Sequence, residues 1–347
     1  MTRTESGFSR PDDAPIQAFA AHRIGQALES YEYVPKKLGP MDVEIRITHC
    51  GMCHTDLHLI NNDFGLSSYP LVPGHEIAGV VTQLGHDVAG LQIDQRVGVG
   101  WLAGACFGCE QCTAGRDNLC PNWQPTCVGR EGGYASHIRV DSRLAFPLPD
   151  ALPSEHAAPL LCGGITVFAP LMRHGVAGSV RLGVIGIGGL GHMALQYGRA
   201  LGCHVIAFST SRAKSAEAQG FGADEFVATS EPGALAAYAN SCDFLLSTVT
   251  ANVSWADYIQ VLRPGGKLCI VGVPNGDVHI PALPLIIGQK SIVTGCIGSR
   301  SEIRAMIDFS TRHRITPKIE SFPMREANLA LDRLRKNEMR YRAVLVN

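Results

Sequence analysis

Long apolar runs and an excess of either charge are both missing from this sequence. Lysine and arginine total 30 against 31 aspartates and glutamates. No positive excess is present to neutralise a phosphate backbone, so nucleic acid is not expected as a partner. No apolar run approaches membrane-spanning length, and residues 1–13 lack the apolar core of a signal peptide. We therefore expect a cytoplasmic protein with no membrane partner.

Length and composition indicate two folded domains. The chain has 347 residues, which is more than one hydrophobic core usually supports. Hydrophobic residues make up 46% and charged residues 18%, as is typical of a globular protein. Repeats and low-complexity segments are absent, and we expect residues 1–15 to form a loose tail.

Two kinds of periodicity predict an α/β fold class with two different domains. In the first part, short alternating segments such as Val43–Thr48 lie between glycines and prolines, which favours a compact and mostly β domain. From residue 180 onward, predicted strands and helices alternate, as in a parallel sheet with covering helices. A helix at residues 325–335 and a strand at 341–346 then close the chain, and we expect this strand to return to the first domain.

Three widely separated residues are candidate ligands of a catalytic metal. Cys53 lies in the stretch Cys50-Gly-Met-Cys-His-Thr-Asp-Leu-His58, His75 in Pro73-Gly-His-Glu76, and Cys162 in Leu161-Cys-Gly-Gly164. Two thiolates and one imidazole are suitable donors for a catalytic zinc ion, which keeps its fourth position open. Each residue taken singly is more often a packed core residue, so the hypothesis depends on all three together.

The same stretches supply groups that would support such a site. Asp56 and Glu76 place carboxylates beside the ligands, and metal-bound histidines usually donate their second ring N–H to a group of this kind. Thr55 follows Cys53 by two residues, so its hydroxyl could reach the open metal position. The alternative for Thr55 is an ordinary turn threonine.

A second cysteine cluster is the most specific signal in the sequence. Cys106, Cys109, Cys112 and Cys120 follow one another at spacings of three, three and eight residues. Four thiolates in so short a loop can close around one zinc ion without an open position, which predicts a structural site. An iron–sulfur cluster and two disulfides are the alternatives, although the spacing fits neither common ferredoxin pattern. Six further cysteines are expected to be packed thiols: Cys50, Cys127, Cys203, Cys242, Cys269 and Cys296.

A glycine-rich turn between a predicted strand and helix indicates a dinucleotide site. Gly186, Gly188 and Gly191 form the Gly-x-Gly-x-x-Gly pattern after the apolar strand at residues 180–185, and a second strand follows at 205–208. The glycines allow close approach of a pyrophosphate, which the helix N-terminus stabilises. A turn without a ligand is the alternative. The predicted cofactor-binding set also includes Gly189, Leu190 and, near a later strand, Val271.

The end of the second predicted strand indicates which nicotinamide cofactor is bound. An NAD site has Asp or Glu at this position, whereas this chain has Ser209-Thr210-Ser211-Arg212, with Lys214 two residues on. Hydroxyls and cations suit a 2′-phosphate, so we expect NADP(H). The alternative is a solvated helix start.

Taken together and in this order, the motifs resemble those of the zinc-dependent medium-chain alcohol dehydrogenases. The phrases at residues 51–58, 73–76, 161–166, 186–192 and 341–345 are most similar to the cinnamyl alcohol dehydrogenase branch and its bacterial NADPH-dependent aldehyde reductases. The resemblance implies a GroES-like catalytic domain interrupted by a Rossmann domain, with the active site in the cleft between them. The implied boundaries are 1–163 with a zinc lobe at 104–121, 164–298 for the Rossmann domain, and 299–347 for the return.

The resemblance also implies activity, cofactors and residue roles. It implies reversible hydride transfer between NADP(H) and a primary alcohol or aldehyde, aromatic or medium aliphatic, with two zinc ions per chain and a homodimer. The implied roles are a proton relay through Thr55 and His58, pyrophosphate contacts from His54 and Arg342, 2′-phosphate contacts from Ser209 and Arg212, and a pocket wall at Trp101 and Leu102.

Three alternatives to this function remain open. The first is an NAD-dependent alcohol dehydrogenase of the same family, which Ser209 disfavours. The second is a metal-free reductase of the quinone reductase kind, which should lack both zinc motifs. The third is a non-enzymatic binding or redox-sensing protein, which would leave Thr55 and His58 unexplained.

Overall fold

The computed structural model describes Pro11, residues 13–274 and residues 276–347. The expected loose tail lies largely outside these residues. The described chain forms two compact units. The first contains the residues up to Cys162 together with Ser299–Ile307 and Lys318–Asn347, and the second contains Gly163–Gly298 and Asp308–Pro317. The domain boundaries expected from the resemblance stay a prediction.

The elements of the chain before residue 160, all in the first unit, are mostly short strands. They are β1 (Ile16–Ala20), β2 (Glu29–Tyr33), β3 (Asp42–Met52), α1 (His54–Ile60), β4 (Glu76–Leu84), β5 (Arg96–Val99), β6 (Leu102–Gly104), α2 (Glu110–Thr113), β7 (Gln124–Pro125), β8 (His137–Asp141), β9 (Phe146–Pro147) and α3 (Ser154–Pro159). A π-helical turn at Leu160–Gly164 follows α3.

The second unit alternates helices and strands. Its elements are α4 (Ile165–Arg173), β10 (Arg181–Ile185), α5 (Gly191–Ala200), β11 (His204–Ser209), α6 (Ser215–Gly220), β12 (Glu225–Ala228), α7 (Ala234–Ala237), β13 (Cys242–Ser247), α8 (Trp255–Val261), β14 (Leu262–Ile270), α9 (Ala282–Gly288) and β15 (Ser291–Thr294). The chain closes with α10 (Arg300–His313), β16 (Ile319–Pro323), α11 (Ala327–Arg335) and β17 (Arg342–Val346).

The first unit is organised around the long strand β3. This strand pairs antiparallel with β4, β8 and β17. The sheet has seven strands: six follow the order β16-β17-β3-β4-β5-β9, and β8 pairs with β3 outside this order. Its alternating apolar residues Val43, Ile45 and Ile47 are at most 1% exposed, which is why this segment forms a central strand. Since β17 pairs with β3, the last strand returns to the first unit, as expected from the sequence.

The second unit is a six-stranded parallel sheet of order β12-β11-β10-β13-β14-β15. Counted along the chain this order is 3-2-1-4-5-6, which defines a Rossmann sheet, and the predicted α/β class is confirmed. The carboxyl ends of β10 and β13 meet at the reversal of strand order, where such sheets bind their ligands.

Some local features differ from the expectation. Cys296 is exposed, so it is not a packed thiol, because it follows the edge strand β15, whose residues are themselves largely exposed. The other five unassigned cysteines are buried. Strand β12 was not anticipated, since its four residues carry too short a pattern. No helix within the described ranges is long and apolar enough to cross a bilayer.

Candidate active site

The three predicted metal ligands lie together in the first unit. Cys53 precedes α1, His75 precedes β4, and Cys162 lies in the π-helical turn. Their ligand atoms and a carboxylate oxygen of Glu76 all lie within 4.8 Å of one another. His75 Nε2 is 3.3 Å from Cys162 Sγ. Strands and turns that are remote in sequence therefore converge on one cluster of soft donors.

The electrostatics of this cluster favour a thiolate. A hydrogen bond from Cys162 lowers the pKa of Cys53 well below its ordinary value, although burial opposes this effect. The same interaction raises the pKa of Cys162, so the pair shares a proton when no cation is near. Two thiolates within 4.8 Å of each other can coexist only beside a positive charge, and a zinc ion would supply that charge.

Asp56 connects two of these ligands to the backbone. Its side chain is fully buried and accepts hydrogen bonds from the backbone N–H of Cys53 at 2.8 Å and of Gly74 at 3.0 Å. Its Oδ1 also lies 3.2 Å from His75 Nδ1. This contact leaves Nε2 of the same ring facing Cys162. Asp56 thus fixes the orientation of the imidazole.

Glu76 lies on the other side of the cluster, in a buried ion pair with Arg342. Burial raises the pKa of Glu76 above its ordinary value, and the Arg342 guanidinium opposes this effect. Glu76 Oε2 has no hydrogen-bond partner in the described part of the chain. A buried and unpartnered carboxylate oxygen beside three soft donors fits a site that holds a cation.

The glycine of the first motif makes room for this carboxylate. A Cβ built on Gly51 would lie 2.0 Å from Glu76 Oε2 and 2.9 Å from Glu76 Cβ. Gly51 and Glu76 are paired residues of β3 and β4. Glycine is therefore required at this position for the carboxylate to reach Arg342.

The proposed relay residues lie on α1. Thr55 Oγ1 is 3.6 Å from Cys53 Sγ, so the hydroxyl lies beside the ligand cluster. His58 follows three residues later on the same helix face and is partly exposed. Its Nδ1 lies 2.8 Å from Asp63 Oδ2. His54, expected near a cofactor, is exposed at the start of the helix.

The two predicted pocket residues differ in their surroundings. The Trp101 ring lies edge-on to the His75 ring, with centroids 5.1 Å apart, and 6.0 Å from the Trp123 ring. Leu102 begins β6 and is 4% exposed. Trp101 therefore covers one side of a predicted metal ligand, His75, whereas Leu102 is packed in its strand.

The four-cysteine loop closes on itself. Cys106 Sγ lies 3.4 Å from Cys120 Sγ and 3.9 Å from Cys112 Sγ, and Cys109 Sγ lies 3.9 Å from Cys120 Sγ. Four thiolates at roughly 2.3 Å from one zinc ion would be about 3.8 Å apart. Backbone N–H groups of Gly108 and Cys109 lower the pKa of Cys106 to about 6, which favours its thiolate. These distances fit a single tetrahedral ion.

The glycine-rich turn of the second unit is shaped for a close ligand. Gly186 has a φ of +86°, and a Cβ on Gly191 would lie 1.9 Å from the Gly186 carbonyl oxygen. A Cβ on Gly188 would meet no heavy atom within 4 Å. Two of the glycines therefore close the turn, and the third leaves open space before the N-terminus of α5, as a pyrophosphate requires.

The residues expected at the 2′-phosphate follow β11. Ser209 ends this strand and is 7% exposed, and its Oγ accepts a hydrogen bond from Ser211 N at 3.3 Å. Arg212 Nε donates to Glu231 Oε1 at 2.7 Å on an exposed surface. Lys214 Nζ donates to the Ile187 carbonyl oxygen at 2.7 Å, within the glycine-rich turn. Thr210 is exposed, and Val271 N donates to Ser247 O at 3.0 Å.

Three residues near these sites were not anticipated as part of them. Asp63 contacts His58, and Cys127 forms a buried group with Asp56 and His75, with ligand atoms within 4.8 Å of one another. Thr248 bonds two carbonyl groups of the glycine-rich turn. The five-residue spacing from His58 could have suggested Asp63. Cys127 and Thr248 carry no local motif, because only the fold brings them to these positions.

Comparison with known proteins assigns the chain to a family. Residues 39–150 match the model described as the alcohol dehydrogenase GroES-like domain. Residues 189–312 match the model described as zinc-binding dehydrogenase. The fold and these matches define a two-domain dehydrogenase with a GroES-like domain and a Rossmann sheet.

Several relatives cover nearly the whole chain. The aldehyde reductase AdhA of Synechocystis sp. is 39% identical over 95% of this chain and 98% of its own length. A probable cinnamyl alcohol dehydrogenase of Oryza sativa is 42% identical over 95% of each. The solved cinnamyl alcohol dehydrogenase of Sorghum bicolor has a TM-score of 0.93 at 36% identity, covering 96% of this chain and 98% of that one.

The chain therefore belongs to the zinc-dependent medium-chain alcohol dehydrogenase family, in the branch of the cinnamyl alcohol dehydrogenases and aldehyde reductases, as the sequence motifs indicated. Small alcohols and aldehydes are the substrates of this family. The solved enzyme of Helicobacter pylori, described as complexed with NADP(H), has a TM-score of 0.88 at 29% identity, covering 96% of this chain and 98% of that one.

Proposed function

We propose that this chain is a zinc-dependent, NADP(H)-linked aldehyde reductase that interconverts a primary alcohol and its aldehyde. The observation that carries this proposal is the cluster of Cys53, His75 and Cys162 with the Thr55 hydroxyl beside it. Two soft thiolates, one imidazole and an adjacent proton carrier are what a carbonyl reduction on zinc requires. A purely structural metal site is closed by four protein ligands and would not need a hydroxyl beside it.

Zinc in this site would supply a Lewis acid that polarises the substrate carbonyl, and reduced nicotinamide would supply the hydride. The protein holds and orients these groups. Asp56 keeps His75 Nε2 turned towards the metal position through its contact with Nδ1. Glu76 and Arg342 together add little net charge next to the ligands.

The chain also provides a route for the proton. The Thr55 hydroxyl passes its proton to the substrate oxygen and takes one back from His58. The His58 ring in turn takes up a proton from solvent, because it is partly exposed. Asp63 holds the His58 ring through Nδ1, which leaves Nε2 as the exchanging atom. Replacing His58 by Gln should therefore lower kcat and change the pH profile. An unchanged rate and profile would remove His58 from the relay.

The preference for NADP(H) is supported by the end of β11. Ser209 is neutral where an NAD site has a carboxylate, and Lys214 places an ammonium group between this strand and the glycine-rich turn. The related Helicobacter pylori enzyme was solved with NADP(H). One observation favours an NAD-dependent enzyme instead, since Glu231 already neutralises Arg212.

The four-cysteine loop would hold a second, structural zinc ion, giving two per chain. Its four thiolates leave no position for substrate. The lobe offers little apolar side-chain material of its own, so metal binding would stabilise it. The expected cytoplasmic location stays a prediction.

We also propose a homodimer through the outer edge of the Rossmann sheet. Strand β15 ends the sheet, and Ile292 on it is 42% exposed. Helix α9 nearby in sequence exposes Leu283, Ile286 and Ile287 at 65%, 71% and 75%. A second copy of the chain would cover this apolar edge. Replacing Ile286 and Ile287 by Lys should yield a monomer by light scattering.

The function is tested by NADPH oxidation with benzaldehyde and cinnamaldehyde in the wild type and in Cys162→Ala. We expect turnover in the wild type, and a variant that keeps its circular dichroism spectrum and one zinc ion but loses turnover. Retained turnover in Cys162→Ala would contradict the ligand assignment. A wild type that binds NADPH but reduces no aldehyde would leave a binding protein as the better description.

A further inference from the structure

Side chains bond the carbonyl groups along the glycine-rich turn one after another. The Thr248 hydroxyl lies 3.0 Å from the Ile185 carbonyl oxygen and 2.9 Å from that of Gly186. Lys214 Nζ donates to the next carbonyl, that of Ile187, at 2.7 Å. The carbonyl groups of Ile185 and Gly186 thus share one hydroxyl donor, and the carbonyl group of Ile187 has a donor of its own.

His192 completes this series. Its Nδ1 lies 3.0 Å from the Gly188 carbonyl oxygen, and Nδ1 is the donor because a carbonyl oxygen can only accept. The ring is fully buried and packs edge-on against Phe221, with centroids 5.2 Å apart. The side chain of a buried histidine on the first turn of α5 therefore bonds the Gly188 carbonyl group, which also accepts the backbone N–H of His192 at 3.2 Å.

The backbone N–H groups of the same turn, unlike its carbonyl groups, are left available for a ligand. Within the described ranges, those of Gly189, Leu190 and Gly191 donate to no carbonyl group. A Cβ on Gly188 would point into open space. An anion bound here is stabilised by free N–H groups and repelled by any carbonyl oxygen that rotates towards it. The turn binds a pyrophosphate only while its carbonyl groups stay fixed.

We propose that Lys214 and His192 are positioning residues of the pyrophosphate turn, which hold the Ile187 and Gly188 carbonyl groups away from the bound anion. This inference rests on the proposed nicotinamide cofactor and deepens it. Because the pyrophosphate is common to NADPH and NADH, both residues support the binding of either cofactor. Lys214 therefore supports the binding of NADH as well as NADPH, which a residue that only contacts the 2′-phosphate would not.

The alternative for Lys214 makes a different prediction. If the lysine only contacts the 2′-phosphate, replacing it weakens the binding of NADPH and leaves the affinity for NADH unchanged. Arg212 is the matched case, since its side chain bonds Glu231 and no atom of the turn. The ratio of the two cofactor affinities thus separates the two roles.

The test is a fluorescence titration of the holoenzyme with NADPH and with NADH, in the absence of substrate. Lys214→Met and His192→Leu should each weaken the binding of both cofactors by about tenfold, since each removes the side-chain donor to one carbonyl group of the turn. His192→Asn should restore most of the affinity because its amide can donate from nearly the same place as Nδ1. Arg212→Met should weaken the binding of NADPH but not that of NADH.

A matched control is available on the same unit. Lys290 Nζ also donates to a backbone carbonyl, that of Ile259, at 2.7 Å, but away from the turn. Lys290→Met should therefore leave both dissociation constants unchanged. This control separates a local effect on the turn from a general loss of a lysine–carbonyl bond.

Three results would overturn the inference. They are a loss of NADPH affinity alone in Lys214→Met, unchanged affinity in folded His192→Leu, and an equal loss in Lys290→Met. If His192→Leu does not fold, Lys214→Met decides the question. A wild type that binds neither cofactor would instead contradict the proposed function, so the two failures are distinguishable.

Discussion

Asp56 Oδ1 lies 3.2 Å from His75 Nδ1, and both side chains are buried. The same carboxylate accepts the backbone N–H of Cys53, so it positions two of the three proposed zinc ligands at once. An orienting carboxylate of this kind typically changes metal affinity by 10–100-fold when it is replaced.

Asp56→Asn should therefore weaken zinc binding at the proposed catalytic site by roughly 10–100-fold. The asparagine amide would present a donor to one of the N–H groups that Asp56 now accepts. Competition with a chromophoric chelator measures the loss. Asp63→Asn is the control, because Asp63 bonds His58 and contacts no proposed ligand. Equal zinc affinity in Asp56→Asn and wild type would contradict the assigned role.

Gly51→Ala should impair both stability and turnover. The added Cβ would lie 2.0 Å from Glu76 Oε2, so the carboxylate must move away from Arg342. Overpacking of this kind costs about 1–3 kcal/mol. Thermal unfolding and steady-state rates measure the two effects. Gly220→Ala, which would meet no atom within 4 Å, should be neutral by comparison. A Gly51→Ala enzyme with wild-type stability and rate would contradict this account.

Cys112→Ser should reduce the zinc content from about two ions to one per chain, because only the four-thiolate site loses a donor. Cys112 is buried among the three other sulfur atoms of this site. We also expect a lower melting temperature, since metal binding stabilises the lobe. Native mass spectrometry gives the metal count. Cys296→Ser, at an exposed thiol outside both clusters, should keep both ions. Loss of both ions in Cys112→Ser would show that the sites are not independent.

The fold class and the grouping of candidate ligands could be read from the sequence, for identifiable reasons. Apolar periodicity over the strands β10 and β11 and the glycines between them specify a Rossmann turn, because only one local geometry accommodates them. Cys106, Cys109, Cys112 and Cys120 are close in sequence, so their spacing is itself a geometric constraint.

What the sequence did not reveal depends on contacts between distant residues. Cys127 follows Asp56 by 71 positions, and only the folded chain brings it to the buried group that includes His75. The clash that excludes a side chain at Gly51 arises across β3 and β4 and has no local signature. The bond between His192 and the Gly188 carbonyl group depends on the turn geometry and has no local signature either.

The central claim is that this enzyme reduces aldehydes with NADPH, and it is tested most directly by changing the cofactor specificity. The measurement is kcat/KM for NADPH and for NADH with cinnamaldehyde, in the wild type and in Ser209→Asp. We expect the wild type to prefer NADPH. In the variant, kcat/KM for NADPH should fall about a hundredfold, because the new carboxylate repels the 2′-phosphate at a cost of several kcal/mol. The variant should then prefer NADH. Equal use of both cofactors by the wild type, with no change in Ser209→Asp, would contradict the claim.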